Sequence, residues 1–184
     1  MEDKEQTRLW FAMFSQTGSE LQQICKQLNR WPDVVFTNAK DVDLSLWKQT
    51  DLVRLGHEDK INSKVYSTLF EMFAGGSNVL VTLHGWLKIV PADICEQYQI
   101  FNGHPGDIKK FPQLKGKDPQ KKAFELKLPW SGCVIHRVTA EVDGGPIVMH
   151  DEVPIFQCKT VDEVINVLKK TSIDQWKKLL KTLL

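Results

Sequence analysis

Residues 9–38 read LWFAMFSQTGSELQQICKQLNRWPDVVFTN. The first six, Leu9 to Phe14, are apolar without alternation, the mark of a strand buried on both faces. In the next segment, residues 18–29, Leu21, Ile24, Cys25 and Leu28 recur at helical spacing, so one apolar stripe runs along a helix. Residues 33–38, DVVFTN, form a second short strand. Strand, helix and strand in succession are the repeating unit of a parallel sheet covered by helices.

The same alternation continues down the chain. Residues 39–60 are mixed and polar, with room for a short strand at DLVRL, 51–55. SKVYSTLFEMF, 63–73, reads as a helix that AGGSN ends. VLVTL, 79–83, is the clearest central strand. Pro91 opens a short helix over 91–98, the position that proline favours, and Gln99, Ile100 and Phe101 begin a strand expected to end there. DPQKKAFELKL, 118–128, is a helix with Asp118 as its cap and Pro119 in its first turn. GCVIHRVT, 132–139, and PIVMHDEVPI, 146–155, alternate in character and form an antiparallel pair across a tight AEVDGG turn. Thr160 and Glu163 make a capping box for a helix over 160–170. A last helix, 173–184, puts Ile173, Trp176, Leu179, Leu180, Leu183 and Leu184 on one stripe. The expected fold is three-layer α/β: a mostly parallel twisted sheet with helices on both faces and antiparallel strands near the C-terminal part, one catalytic domain over 1–184.

Hydrophobic residues at 42% and charged residues at 26% are globular proportions for a chain of 184 residues. A formal charge of +1 supplies no long-range field for a nucleic acid polymer or an anionic membrane, so any bound anion must be met locally. The apolar run after MEDKEQTR is too short for a signal sequence or a membrane span, and a cytoplasmic, soluble protein is expected. Cys25, Cys95, Cys133 and Cys158 show no CxxC spacing and read as reduced structural thiols. His57, His84, His104, His136 and His150 form neither HxH nor HExxH, so no metal is expected.

Ligands in sheets of this kind sit beyond the carboxyl ends of the strands, and four unusual segments fall there: SQTGSE (15–20), HGWLKIV (84–90), NGHPG (102–106) and EVDGG (141–145). The first suits a phosphate cradled by backbone amides, though Glu20 at its mouth repels an anion if it points inward, and a plain capped helix fits equally well. In NGHPG, Asn102 and His104 stand two apart and project to one side of an extended segment. An amide donates to a developing oxyanion and an imidazole moves protons, which suits acyl transfer to an amine; a structural pair is the alternative. Asp143 lies where two glycines let the chain fold tightly. Near His104 its carboxylate raises the histidine's pKa and holds its tautomer, while a plain Asp-Gly turn is the simpler alternative.

In this order, these residues resemble the folate-dependent formyltransferase family. That family's Asn-x-His-Pro strand end matches NGHPG, its Asp-Gly-Gly-Pro turn matches VDGGPIV, and its GxxVHxV strand matches GCVIHRV. Its glycine-bearing SGxGSNL turn resembles SQTGSEL, and its Gly-aromatic-aliphatic-basic segment resembles GWLKIV. The resemblance covers residues 9–170 and implies transfer of a formyl group from 10-formyltetrahydrofolate to a primary amine, without a covalent enzyme intermediate. It implies that Asn102 donates to the oxyanion, that His104 stabilises charge and moves protons, and that Asp143 orients His104 with an ordered water. The folate is expected against Trp86, Leu87, Lys88, Ile89 and Val90, with Val138, Thr139, Ala140, Glu141 and Val142 reading the pterin edge. Gln16, Thr17, Gly18, Ser19, Glu20, Gly103 and Lys109 are the expected acceptor contacts.

Glycinamide ribonucleotide is the best single acceptor that the resemblance implies; an amino-sugar nucleotide or an aminated nucleotide fits the same chemistry. Hydrolysis of the folate to formate and a non-catalytic ligand sensor are the other classes. Methionyl-tRNA is disfavoured, and the expected partners are small molecules, with the protein a monomer or homodimer. Two departures concern the acceptor: Glu20 stands where the family has a small amide residue, and Ser172 where it uses a glutamate to hold the amine. Lys109, Lys110, Lys115 and Lys117 follow the NGHPG turn, either as a solvated face or as contacts for an anionic acceptor.

Overall fold

The strand Leu9–Phe14, β1, lacks alternation because both of its faces are covered. Trp10, Ala12 and Phe14 pack in one apolar cluster with Leu21 and Ile24 of α1 (Ser19–Leu28) and with Ile173, Trp176 and Leu180 near the C-terminus. Phe11 and Met13 pack in a second cluster with Tyr66 and Phe70 of α2 (Ser63–Ala74) and with Ile94 of α3 (Ala92–Gln97). Alternate residues of one strand thus face different helical layers, which gives three layers with the sheet in the middle. The computed structural model describes residues 8–56 and 61–184, so His57 lies outside the described residues.

The other strands are β2 (Val34–Thr37), β3 (Asp51–Arg54), β4 (Val79–Leu83), β5 (Gln99–His104), β6 (Trp130–Arg137) and β7 (Ile147–Pro154). They form one sheet in the order β3-β2-β1-β4-β5-β6-β7, so the strand expected to be central is the middle one. From β3 to β5 every neighbour is parallel, while β6 runs antiparallel to β5 and β7 antiparallel to β6. A buried hydrogen bond ties the centre together: Trp10 Nε1 donates to Thr82 Oγ1 at 2.8 Å.

Four expectations need correction. First, β5 does not stop at Phe101 but continues through Asn102 and Gly103 to His104, because β6 supplies antiparallel partners: Asn102 lies opposite His136 and His104 opposite Val134. Second, the two C-terminal helices are one, α5 (Val161–Leu183), since nothing between Leu168 and Ile173 breaks the ladder and both halves bury one stripe. Third, Asp118 precedes α4 (Pro119–Glu125) in a left-handed conformation, φ 55°, and its side chain caps nothing. Fourth, β6 and β7 are joined by a longer connection, 138–146, and not by a tight hairpin. The Thr160 cap holds: its hydroxyl accepts from Glu163 N–H at 3.2 Å, while the Glu163 carboxylate takes the N–H of Lys159 at 2.6 Å.

Candidate active site

β5 and β6 place three polar side chains on one face of the sheet at its parallel strands' carboxyl edge. Asn102 and His104, two apart on β5, share a side, and antiparallel pairing sets His136 of β6 opposite Asn102. The connection 138–146 then folds back and delivers Asp143, whose φ of 50° is a left-handed conformation that aspartate tolerates better than most residues. Asp143 Oδ2 lies 3.4 Å from His104 Nδ1, and Asp143 Oδ1 lies 3.4 Å from His136 Nε2. Asn102 Nδ2 is 3.2 Å from His136 Nε2. The residues singled out from sequence therefore meet, and His136 joins them at the centre.

Hydrogen-bond partners define the proton positions. His104 Nε2 is 2.9 Å from the carbonyl of Leu114, which only accepts, so Nε2 carries hydrogen and Nδ1 faces Asp143. His136 Nδ1 likewise donates to the Arg137 carbonyl at 3.0 Å, leaving Nε2 to accept from the Asn102 amide. Burial lowers the pKa of His104 below the ordinary imidazole value, with the Asp143 charge and the Leu114 bond acting in the opposite sense. The carboxylate does act to raise the histidine's pKa, as the sequence reading expects, but burial outweighs it. Burial raises the pKa of Asp143, but the His136 ring at 3.4 Å, the charge of His104 and the Gly116 N–H at 2.9 Å outweigh this and bring it to about 2. The free site thus holds an ionised carboxylate beside an imidazole biased toward its neutral form.

The expected folate segment divides by side. Trp86 and Val90 are buried in the second apolar cluster, and Trp86 Nε1 donates to the Tyr66 hydroxyl at 2.9 Å, so these two anchor the segment and do not line a cleft. Leu87 and Ile89, between them, are 64% and 72% exposed, a large apolar surface left open among the described residues. Lys88 is half-buried. Leu87 N–H donates to Ser15 Oγ at 2.8 Å, which fixes this segment to the 15–20 turn. In the second expected stretch Val138 is half-buried against the core, its N–H on the Ile100 carbonyl at 2.9 Å, and Thr139 Oγ1 lies 3.4 Å from the Glu141 carbonyl. Ala140, Glu141 and Val142 are exposed.

The expected acceptor contacts fare less evenly. Gln16 and Thr17 are exposed at the turn, and Gly18, φ 65°, is buried because a Cβ there meets Trp47 at 2.8 Å and Phe14 at 2.9 Å. Ser19 Oγ accepts from Lys169 Nζ at 3.0 Å. Glu20 does point inward: its Oε1 accepts from Ser172 Oγ at 2.6 Å and its Oε2 lies 3.4 Å from His84 Nδ1. Gly103 lies on β5 between Asn102 and His104. Its Cβ side is filled by the Trp176 indole, since a Cβ there lies 2.6 Å from Trp176 Nε1, so the missing side chain serves packing on that face. Lys109 is exposed, whereas Lys110 and Lys115 turn back to Glu152 and Glu141. A groove of about 290 Å³ between α1 and α5 is lined in part by Gln23, Gln27, Lys169 and Lys170.

Sequence spacing missed two clusters. His84 and Glu20 are far apart in the chain and meet only because β4 and α1 both end at this edge. Asp107, His150 and Glu152 also converge, with one ligand-type atom from each within 4.8 Å of the others. There His150 Nε2 is 3.0 Å from Asp107 Oδ1, and the Lys110 ammonium already supplies positive charge to Glu152. His136 was visible in the GxxVHxV pattern, but the pattern alone gives it no role.

Among known proteins, the family model described as formyl transferase matches residues 10–176. The phosphoribosylglycinamide formyltransferase of Dictyostelium discoideum is 31% identical over 96 residues, 46% of this chain and 45% of that protein. The human trifunctional purine biosynthetic protein adenosine-3 is 25% identical over 165 residues, 81% of this chain but 16% of that protein. The chain thus spans less than half the length of these curated relatives. The crystal structure of phosphoribosylglycinamide formyltransferase from Streptococcus pneumoniae TIGR4 superposes with a TM-score of 0.82 at 23% identity, covering 96% of this chain and 99% of that one, and establishes the fold.

Proposed function

This chain belongs to the formyl transferase family, and from that premise we propose that it moves the formyl group of 10-formyltetrahydrofolate to the primary amine of phosphoribosylglycinamide. The observation that carries the reading is the linked set Asn102, His136, Asp143 and His104 at one strand edge. The exposed apolar surface of Leu87 and Ile89 suits a flat pterin ring. The folate supplies the formyl carbon and a nitrogen leaving group; the chain supplies donors, a proton carrier and orientation.

As the amine adds to the formyl carbon, negative charge grows on the formyl oxygen. Asn102 Nδ2 carries two hydrogens; one is directed to His136, which leaves the other for that oxygen. His136 is held in turn by its Nδ1 bond to Arg137, so the amide is aimed before substrate arrives. The attacking nitrogen must lose a proton and the departing folate nitrogen must gain one. His104 Nδ1, kept unprotonated by burial and next to ionised Asp143, is placed to hold that proton between the two steps. Nothing in the set calls for a covalent intermediate: the buried Cys133 thiol, its pKa raised by burial, bonds to the Leu168 carbonyl. Holding both reactants together contributes roughly 7–11 kcal/mol to such a reaction.

The test is incubation with 10-formyltetrahydrofolate and a set of amines: phosphoribosylglycinamide, amino-sugar nucleotides and aminated nucleotides. Formylated phosphoribosylglycinamide is the expected product by mass spectrometry. Formate released at the same rate without any amine points to hydrolysis, and folate binding with no turnover points to a sensor; either result overturns the proposal.

A further inference from the structure

The Asn102 centre lies on one face of the sheet edge, and a second polar centre lies on the other. Its members are Glu20 from the first turn of α1, His84 just beyond β4, and Ser172 of α5. His84 is fully buried and fixed from behind: its Nε2 is 3.0 Å from Thr82 Oγ1, the hydroxyl that also accepts from Trp10. Its ring lies against the Trp176 indole at 4.6 Å, and the indole covers Gly103.

We propose that Glu20 selects the acceptor, its carboxylate receiving the hydroxyl groups on the part of that molecule remote from the attacked amine. The inference rests on the formyl-transfer reading above and deepens it. A carboxylate offers about four lone-pair positions and no hydrogen to donate. Ser172 takes one, and His84 at 3.4 Å engages at most another. The side chain remains 27% exposed, so the remaining positions open outward. A group lodged there must donate, which admits hydroxyls and excludes a phosphate by like charge. Burial opposes ionisation of Glu20, yet His84, Ser172 and Lys169 together bring its pKa below the usual carboxylate value.

Position decides which hydroxyls. The rings of His84 and Trp176 stand between Glu20 and the Asn102 strand, so Glu20 reaches a part of the acceptor away from the reacting nitrogen. Two neighbouring hydroxyls of a sugar present parallel O–H groups that one carboxylate accepts together. The ribose of a ribosylated amine is the fitting class.

The experiment compares wild type, Glu20→Gln and Ser172→Ala in steady-state formyl transfer, using phosphoribosylglycinamide and its 2,3-dideoxyribose analogue. Glu20→Gln is expected to raise the KM of the hydroxylated acceptor about tenfold or more, with the folate KM and kcat little changed. Ser172→Ala, which leaves Glu20 charged but unanchored, is expected to give a smaller rise. With the dideoxy analogue, wild type and Glu20→Gln are expected to share one KM. A Glu20→Gln enzyme with an unchanged acceptor KM overturns the proposal, as does a penalty of equal size for both acceptors. Melting curves matching wild type establish that the variants are folded. A wild type that formylates neither acceptor defeats the formyl-transfer reading itself, a result distinct from an active enzyme indifferent to Glu20.

Discussion

Replacing Asp143 with asparagine removes one negative charge and little else. Asparagine tolerates a φ of 50° as readily as aspartate, and its side-chain oxygen can still accept the Gly116 N–H at 2.9 Å. What disappears is the carboxylate that lies 3.4 Å from both His104 and His136. Its pKa falls from 3.8 to about 2 in the folded protein, and each unit corresponds to about 1.4 kcal/mol. Allowing for solvent screening of a partly exposed group, the carboxylate contributes about 1–2 kcal/mol. Because the folded pKa is depressed, that contribution is present above pH 3.8 and is lost as pH falls through 2. Asp143→Asn is therefore expected to melt about 2–8 °C below wild type at neutral pH, with the difference closing toward pH 2. Turnover is expected to fall on the order of 10²–10⁴, the usual worth of an oriented proton carrier. The charge that opposes the burial effect on His104 is also gone, so the acid limb of the rate profile moves to still lower pH. Thermal melts across pH and pH-dependent formyl transfer measure both effects. A variant that keeps turnover within tenfold of wild type and an unshifted acid limb refutes the role given to the carboxylate.

Asn102→Ala is expected to lower turnover on the order of 10²–10³, as loss of one oxyanion donor does, with the acceptor KM nearly unmoved; single-turnover kinetics read this, and a loss confined to KM contradicts it. Gly103→Ala forces a methyl to within 2.6 Å of Trp176 Nε1, so a loss of about 1–3 kcal/mol is expected by denaturant titration, and wild-type stability rules out the packing role.

The fold was legible wherever burial on both faces or helical spacing left a pattern. Leu9–Phe14 and Val79–Leu83 read as strands because both faces of each are buried, with Thr82, bonded to Trp10, the single polar residue between them. β5 was cut short at Phe101 because Asn102-Gly103-His104 has no apolar character of its own; its extension depends on β6, whose antiparallel partner residues are remote in sequence. The joined helix α5 was divided for a related reason. Ser172, a polar residue in the gap between the helices read over 160–170 and 173–184, is buried and bonded to Glu20. In the site, Asn102 and His104 were legible from a two-residue spacing, whereas Glu20 with His84 and Asp107 with His150 were not. No local pattern records that a carboxylate on one element faces an imidazole on another.

The reversal of strand direction at β5 is what makes the centre possible. Parallel neighbours carry their carboxyl ends to the same edge, so β4 and β5 bring His84 and the Asn102–His104 segment there together. A sixth parallel strand would also end at that edge and would need a crossover helix over the face that Asn102 and His104 occupy. An antiparallel β6 instead enters at that edge and runs back beside β5, so that 138–146, leaving beyond Arg137 opposite Phe101, folds back toward the edge and sets Asp143 between two imidazoles. The opposite face stays available to α1 and α5, whose Glu20 and Ser172 meet there. One edge thereby carries two polar centres on its two sides, with Gly103 and Trp176 packed between them, so that the proposed acceptor contact and the proposed formyl-activating set are separated by a single layer of sheet.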